Sequence, residues 1–338
     1  MSAVDASVLV PVLNEEDFIR DTVAAMQAQS FEGEVEFLFM DGGSDDRTRE
    51  LIEELAREDP RIRLFDNPGR TSTAGLNVGL RHARGEVIVR MDAHTFYPPD
   101  YIARGIERLR RGDVVWVAGP VVPIGRGKWS RRVSLALGSW LGTGGSARLD
   151  SAGPEDEREL DTGVFAGMAR REVVEAHGGW DDEWRVNQDS ELAARILADG
   201  GRIVSIPALA SRYVPRDDLD SLVRQYWRYG TYRAKTASRH PNSLEARQLF
   251  PLALVGVLVG SVVLPWPLRT LARAGLGAYV AALAFNSARV APEAGARDAA
   301  GVSVVLAIMH VAWGLGFVNG SIRFGPPLAA FARMARRG

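Results

Sequence analysis

The 338-residue sequence contains no cysteine, which excludes a disulfide framework, a thiolate metal centre and a cysteine nucleophile. Neither sign of charge is in excess. The formal net charge is −1, so nothing draws the whole chain toward nucleic acid, and an anionic ligand must be met by a local cluster. Lysine is nearly missing, occurring only as Lys128 and Lys235, a bias toward arginine that carries no functional reading. Met1 to Val12 lacks a basic stretch followed by a long apolar one, and Asp5 interrupts what little there is. The first domain is therefore expected to stay in the cytoplasm. No G-x-G-x-x-G follows the first expected strand, which argues against a dinucleotide-dependent oxidoreductase. Long apolar runs are also missing up to about residue 247, and they dominate after it.

What is present is ordinary for a folded protein: 46% apolar and 25% charged residues, enough for one large domain or two smaller ones. Ser7 to Leu13 reads as a short apolar strand stopped by Asn14-Glu15-Glu16, with Ile19, Val23 and Met26 at helical spacing behind it. Val35 to Met40 repeats the strand, Asp41 to Asp46 forms a turn, and Leu51, Ile52 and Leu55 mark the next helix. A third pass runs from Ile62 to Phe65 through a loop into Ala74 to Ala83, and Val87 to Met91 is a fourth strand. Such alternation predicts an α/β fold, a mostly parallel sheet with helices on both faces. Ligands of these sheets sit at the carboxyl ends of the strands, where Asn14, Asp41, Asn67 and Asp92 all fall. Further on, Pro98 to Arg111 is an expected helix, Val114 to Val122 a strand, and Gly125 to Asp161 a long aperiodic segment of the kind that is either an active-site lid or disordered. Thr162 to Ala169 is read as a strand, and Asn187 to Leu197 as a helix stopped by Gly200-Gly201.

The stretch Val87-Ile88-Val89-Arg90-Met91-Asp92-Ala93-His94 organises the rest. In an extended segment residues i and i+2 point the same way, so Asp92 and His94 can face one divalent cation, the first as a hard oxygen ligand and the second as a nitrogen ligand. A strand-end Asp also serves as a turn or helix cap, so the three-residue pattern needs its neighbours to gain meaning.

Composition places a boundary near residue 236, giving a first domain over 1–236 and an apolar tail over 237–338. The tail holds two or three uncharged segments, about 249–268, 274–288 and 299–318, long enough for membrane helices, with Trp266 and Trp313 near expected interfaces. Three spans with the first domain inside would leave Arg323, Arg333, Arg336 and Arg337 outside, against the positive-inside rule. Just before the tail, Gln225-Tyr226-Trp227-Arg228-Tyr229 lies on an aromatic and basic helix.

Taken together, Val10-Pro11-Val12-Leu13-Asn14-Glu15-Glu16, Met40-Asp41-Gly42-Gly43-Ser44-Asp45-Asp46, Met91-Asp92-Ala93-His94 and Gln188-Asp189-Ser190-Glu191-Leu192 resemble family 2 glycosyltransferases of the GT-A fold. Among them the chain is most similar to membrane-associated sugar transferases of exopolysaccharide assembly, such as the succinoglycan glucosyltransferase group. The resemblance covers about residues 6–236 and implies an inverting, metal-dependent transfer of a sugar from a nucleoside diphosphate, with UDP the expected nucleotide. It implies that Asp41 contacts uracil or ribose, and that Pro11, Leu13 and Glu15 line that side. Arg70 either reaches a phosphate or is a solvated loop residue. The family's Ala-Arg-Asn is Gly75-Leu76-Asn77 here, so Asn77 is the part that matches. Asp92 and His94 resemble the Asp-x-Asp that carries Mg²⁺ or Mn²⁺ against the diphosphate, and the imidazole in the third place favours Mn²⁺. Asp189 matches the general base that deprotonates the acceptor hydroxyl. Arg228 stands in a stretch similar to Gln-x-x-Arg-Trp of processive synthases, where it would bind diphosphate. Tyr229 replaces the Trp, so single-sugar addition is expected. The same helix also fits an interfacial one with Arg on lipid phosphates.

The partners implied are a nucleotide-sugar donor, a lipid-linked or glycan acceptor and membrane lipids, with no nucleic acid, and the site implied is the cytoplasmic face of a membrane crossed several times. A polyprenyl-phosphate sugar synthase of the same fold is the alternative, and a silent membrane scaffold the reading from another class.

Overall fold

The computed structural model describes residues 4–143, 157–160 and 166–336. The chain divides into two compact units, one made of residues 1–122 and 150–213 and the other of 123–149 and 214–338.

In the first unit, β1 (Ala6–Val12), α1 (Ile19–Gln27), β2 (Val35–Asp41), α2 (Thr48–Glu58), β3 (Ile62–Asp66), α3 (Ser72–His82) and β4 (Val87–Arg90) follow the predicted alternation. They are followed by β5 (Thr95–Phe96), α4 (Tyr101–Arg110), β6 (Trp116–Ala118) and β7 (Val121–Pro123). The expected single strand from Val114 to Val122 is thus two short ones, broken at Gly119-Pro120, because proline cannot donate to a ladder. In the second unit, α5 (Lys128–Leu137) and α6 (Trp140–Thr143) lie inside the stretch expected to be aperiodic, a correction to that reading. The remainder of that stretch, including Gly144-Gly145-Ser146, lies outside the described residues. The first unit resumes with β8 (Arg158–Glu159), β9 (Gly167–Arg170), α7 (Arg171–Ala176), α8 (Gln188–Ala198), β10 (Ile203–Ser205) and β11 (Ser211–Tyr213). Of the strand expected over 162–169, residues 162–165 lie outside the described residues.

The main sheet has the order β3-β2-β1-β4-β9-β6-β10-β8, with β3, β2, β1 and β4 mutually parallel and β9 antiparallel to both β4 and β6. β5, β11 and β7 form a second small sheet. Alternation along the strands separates two core faces. Val8, Val10, Phe37 and Phe39 pack with Ile19, Val23 and Ile52 on one side. Leu9, Leu38, Met40 and Ile88 pack with Leu76, Leu192 and Ile196 on the other. Burial of each such side chain stabilises the unit by about 1.5–3 kcal/mol, which is why the continuous apolar strands take the centre of the sheet. β1 sends its connection to β2 on one side while β4 lies on the other, so the carboxyl end of β1 is a topological switch point and hence a crevice for a ligand.

The second unit continues with α9 (Leu219–Arg239), α10 (Leu249–Val263), α11 (Leu268–Ala294), α12 (Ala296–Phe324) and α13 (Leu328–Ala335). By packing, α9 belongs with α12, since a side chain at Gly230 would collide with the Trp313 carbonyl and one at Gly316 with the Trp227 carbonyl. Two backbones can approach so closely only where a Cβ is missing. α5 joins the same unit through Arg132, which donates to Asp298 (3.1 Å), while Asp217 accepts the Trp129 and Ser130 N–H groups (2.7 Å each) at its first turn. Among the described residues two helical stretches, Ala246–Val263 and Ala296–Phe324, are long and apolar enough to cross a membrane, and α11, which holds the predicted segment 274–288, is not a third.

Candidate active site

Four loops at the carboxyl edge of the sheet carry residues predicted from sequence, and hydrogen bonds between side chains and backbone lace them together. Asn14 donates its N–H to Ser44 Oγ (3.0 Å) and accepts from the Asp45 N–H (3.0 Å), while the Glu15 N–H reaches Thr48 Oγ1 (2.7 Å). Asp41 is buried in its turn, its Oδ1 accepting from the Ser44 N–H (3.1 Å) and hydroxyl (2.6 Å), with Arg49 3.6 Å from Oδ2. The first N–H of α2 goes instead to Asp46 (2.9 Å), so Asp41 is not that helix's cap. Arg70 bends over this turn and donates to the Gly43 carbonyl (3.3 Å). Pro11 is half-buried beside α3, whereas Leu13 is exposed.

On the other side of β1, Asp92 leaves the end of β4. Its N–H donates to the Tyr97 hydroxyl (2.9 Å), and its carboxylate takes the Nε edge of Arg90 (3.0 Å to Oδ1). The opposite corner of the same guanidinium, Nη1, donates to Asp189 Oδ2 at 2.5 Å. Asp189 stands in the first turn of α8 and is nearly inaccessible, with Oδ1 accepting from the Trp180 indole (2.9 Å) and Oδ2 facing the Ala166 N–H (3.4 Å). Burial works against the charge of Arg90, but Asp189 and Asp92 outweigh it and hold the guanidinium protonated more firmly than a free one. Burial first, and then the charge of Asp92, push the Tyr97 and Tyr101 phenols above their ordinary range, so both remain neutral.

Trp180 is placed by Asn77, whose side chain takes the Trp180 N–H (3.0 Å) and donates to its carbonyl (2.6 Å), with Asp182 as a further acceptor (3.1 Å). A Cβ at Gly179 would fall 2.7 Å from Asn77 Oδ1, and the residue has φ +73°, so glycine is required on both counts. Arg195, paired with the fully buried Glu191 (2.7 Å), donates to the Gly179 carbonyl (2.8 Å) and ties α8 to this turn. The four non-glycine residues at positive φ among the described residues are Asn14, Arg70, Ala166 and Asn187, and all border these loops. Strain of this sort persists only where surrounding contacts enforce it, and it collects at functional sites.

His94 follows Asp92 with its Nδ1 3.2 Å from Glu15 Oε1. Among the described residues no three His, Asp or Glu side chains gather into a group able to hold a metal by themselves. The donor set of Asp92 and His94, one carboxylate and one imidazole, fits a divalent cation that completes its shell with diphosphate oxygens and water. It does not fit one caged by protein alone.

The edge therefore brings together Pro11, Glu15, Asp41, Arg70, Asp92, His94 and Asp189, and Asn77 is present as the clamp on Trp180. Arg228 lies on an exposed face of α9 in the other unit. Arg90, Trp180 and Tyr97 were not singled out from sequence. The available signal for Arg90 was a charge at the end of an apolar strand.

Comparison with known proteins agrees with this architecture. Residues 7–175 match the family described as glycosyl transferase family 2. The succinoglycan biosynthesis protein ExoA of Rhizobium meliloti is 31% identical over 324 residues, 94% of this chain and 95% of its own. A dolichyl N-acetyl-alpha-D-glucosaminyl phosphate 3-beta-D-2,3-diacetamido-2,3-dideoxy-beta-D-glucuronosyltransferase of Methanococcus voltae is 23% identical, covering 76% of this chain and 81% of its own. Among solved structures, the mannosyltransferase PcManGT of Pyrobaculum calidifontis, in complex with GDP-Man and Mn²⁺, superimposes with a TM-score of 0.59 at 21% identity, over 93% of this chain and 88% of its own. S. aureus TarS 1-349 in complex with UDP does so with a TM-score of 0.50 at 14% identity, over 95% and 92%. The two structures share the fold, and the matched residues together with the full-length relative carry the assignment: this chain is an enzyme of glycosyl transferase family 2, with a GT-A core followed by hydrophobic helices.

Proposed function

We propose that this enzyme transfers a sugar, with inversion, from a nucleoside diphosphate to a hydroxyl of a lipid-linked or polysaccharide acceptor at the cytoplasmic face of a membrane. One observation carries the reading: two buried carboxylates, Asp92 and Asp189, lie at opposite corners of one guanidinium at the carboxyl edge of the sheet. Asp92 with His94 suits the diphosphate side, where a bound Mn²⁺ or Mg²⁺ would supply charge neutralisation of the leaving group. Asp41, Glu15, Pro11, Leu13 and Arg70 suit the nucleotide side, UDP being the expected donor nucleotide. Asp189 takes the proton of the acceptor hydroxyl as its oxygen forms a bond to the anomeric carbon. The bond from that carbon to the phosphate oxygen breaks, and its electron pair leaves with the nucleoside diphosphate. Arg228 is proposed to meet a phosphate, of donor or lipid. The apolar helices are proposed to hold the enzyme at the bilayer in several passes.

The test is release and transfer from a panel of UDP-, GDP- and dTDP-sugars with Mn²⁺, Mg²⁺ or EDTA, wild type against Asp92→Ala, with undecaprenyl diphosphate-linked sugars as acceptors. Cation-dependent transfer from one donor, lost in the variant, is expected. Transfer unaffected by EDTA and by the substitution overturns the assignment of Asp92. Transfer to undecaprenyl phosphate itself would make the enzyme a polyprenyl-phosphate sugar synthase.

A further inference from the structure

Arg90 has no task in the scheme above, yet it is the group that both assigned carboxylates share. We propose that Arg90 is a positioning residue that sets the distance between the donor-side carboxylate Asp92 and the acceptor-side carboxylate Asp189, and so fixes the line along which the acceptor oxygen attacks. The proposal rests on the transferase reading, because it gives meaning to that distance.

The backbone of Arg90 is held by strands on both sides. It pairs with Leu9 of β1 on one side and with Gly167 of β9 on the other, so the stem of the side chain leaves from the middle of the sheet. The side chain is 7% exposed, those of Asp92 and Asp189 13% and 5%, and solvent therefore does little to screen the three charges from one another. A guanidinium is a rigid planar fork with five donors, and here its Nε edge serves one carboxylate while Nη1 serves the other. Asp189 is also held from its far side by the Trp180 indole (2.9 Å), and Trp180 by Asn77, so the spacer works between two fixed supports. In a single displacement the anomeric carbon lies between the leaving phosphate oxygen and the attacking hydroxyl oxygen, with reacting atoms about 3–3.5 Å apart. A plane of fixed width between the groups that address those two oxygens defines the reaction line. Lysine offers a point charge on a flexible stem and cannot serve both corners.

The test is Arg90→Lys, which keeps the charge and removes the spacer, in the full-length enzyme with the donor identified above. Active sites are counted by nucleotide titration, so that loss of folded protein is divided out. The expected result is a fall of about 10²-fold in kcat per site, since misplacement by about 1 Å costs that much. KM for the donor should change by less than about threefold, and in an Asp189→Asn background Arg90→Lys should add no more than about threefold to the loss, because partners acting as one unit are not additive. A kcat per site within about threefold of wild type overturns the proposal while leaving the transferase reading intact, and so do fully additive losses. Retained transfer by Asp189→Asn alone overturns the base assignment and this proposal with it. If Arg90→Lys does not fold, the pair Arg90→Gln with Asp189→Asn, which removes one charge of each sign, supplies the measurement. It should transfer no more slowly than Asp189→Asn, and slower transfer overturns the proposal.

Discussion

A carboxylate whose two oxygens already receive an indole, a guanidinium and a backbone N–H is an unusual place to look for a base. Asp189 nevertheless keeps lone pairs, and its partners fix where they point. Replacing it by Asn should slow transfer by about 10²–10⁴-fold, as removal of a general base does, with nucleotide affinity unchanged in a calorimetric titration. Asn77→Ala removes both hydrogen bonds to the Trp180 backbone. It should lower stability by about 1–3 kcal/mol, read from the denaturation midpoint, and reduce kcat through the loosened indole. A pH effect belongs to a different residue. The hydrogen bond from Arg61 holds Asp59 down to about 2, against its burial, with Gln27 helping. The folded value lies below the unfolded one, so this contribution is full above the usual carboxylate value of 3.8 and is lost as pH falls toward 2. Asp59→Asn should flatten the acid limb of a melting-temperature profile between those limits and leave its slope near neutrality unchanged. The residues legible in sequence were the polar ones that end apolar strands, Asp41 and Asp92 among them, because strand period and turn composition mark such ends locally. Arg90 and Trp180 were not legible, since a buried partner 99 positions away cannot be inferred from the run in which Arg90 sits.

Among the elements, the first four strands and three helices form as their periodicity indicates, because each buries a face that the sequence displays in full. α5 escaped detection for the opposite reason. Its buried face includes Ser130 and Arg132, and the second is compensated by Asp298 of α12. A polar residue inside a short helix erases the apolar stripe on which recognition depends. The contact of α9 with α12 is set by glycines, and it makes a paired prediction. Gly316→Val should push a side chain into the Trp227 carbonyl and destabilise the helical unit by about 1–3 kcal/mol or more, visible as faster proteolysis in detergent. Gly277→Ala in α11, where a Cβ would meet nothing within 4 Å, should be neutral or stabilise by up to about 1 kcal/mol. Equal sensitivity of the two variants would mean that the close approach of α9 and α12 is not what holds the unit together.

For the whole molecule, the absence of cysteine turns into an experimental asset. Single cysteines at the exposed positions Glu172, in the GT-A core, and Arg336, in the tail, give a direct reading of sidedness with a membrane-impermeant maleimide on intact cells. Glu172→Cys should remain unlabelled until the membrane is opened, and labelling of intact cells would sink the cytoplasmic placement. Two apolar stretches rather than three would return Arg336 to the side of the core, in keeping with the positive-inside rule, so the same outcome is expected of Arg336→Cys. The helical unit is also discontinuous in the chain. α5 is inserted between two parts of the sheet unit, and Arg132 waits 166 residues for Asp298. During synthesis, then, α5 and α9 leave the ribosome before α12, the helix they pack against, has been made. A chain that stops after about residue 294 lacks α12, so Arg132 loses Asp298 and α9 loses the helix it approaches most closely. Such a chain keeps every strand of the sheet unit, so limited proteolysis should cut it first in α5 and α9.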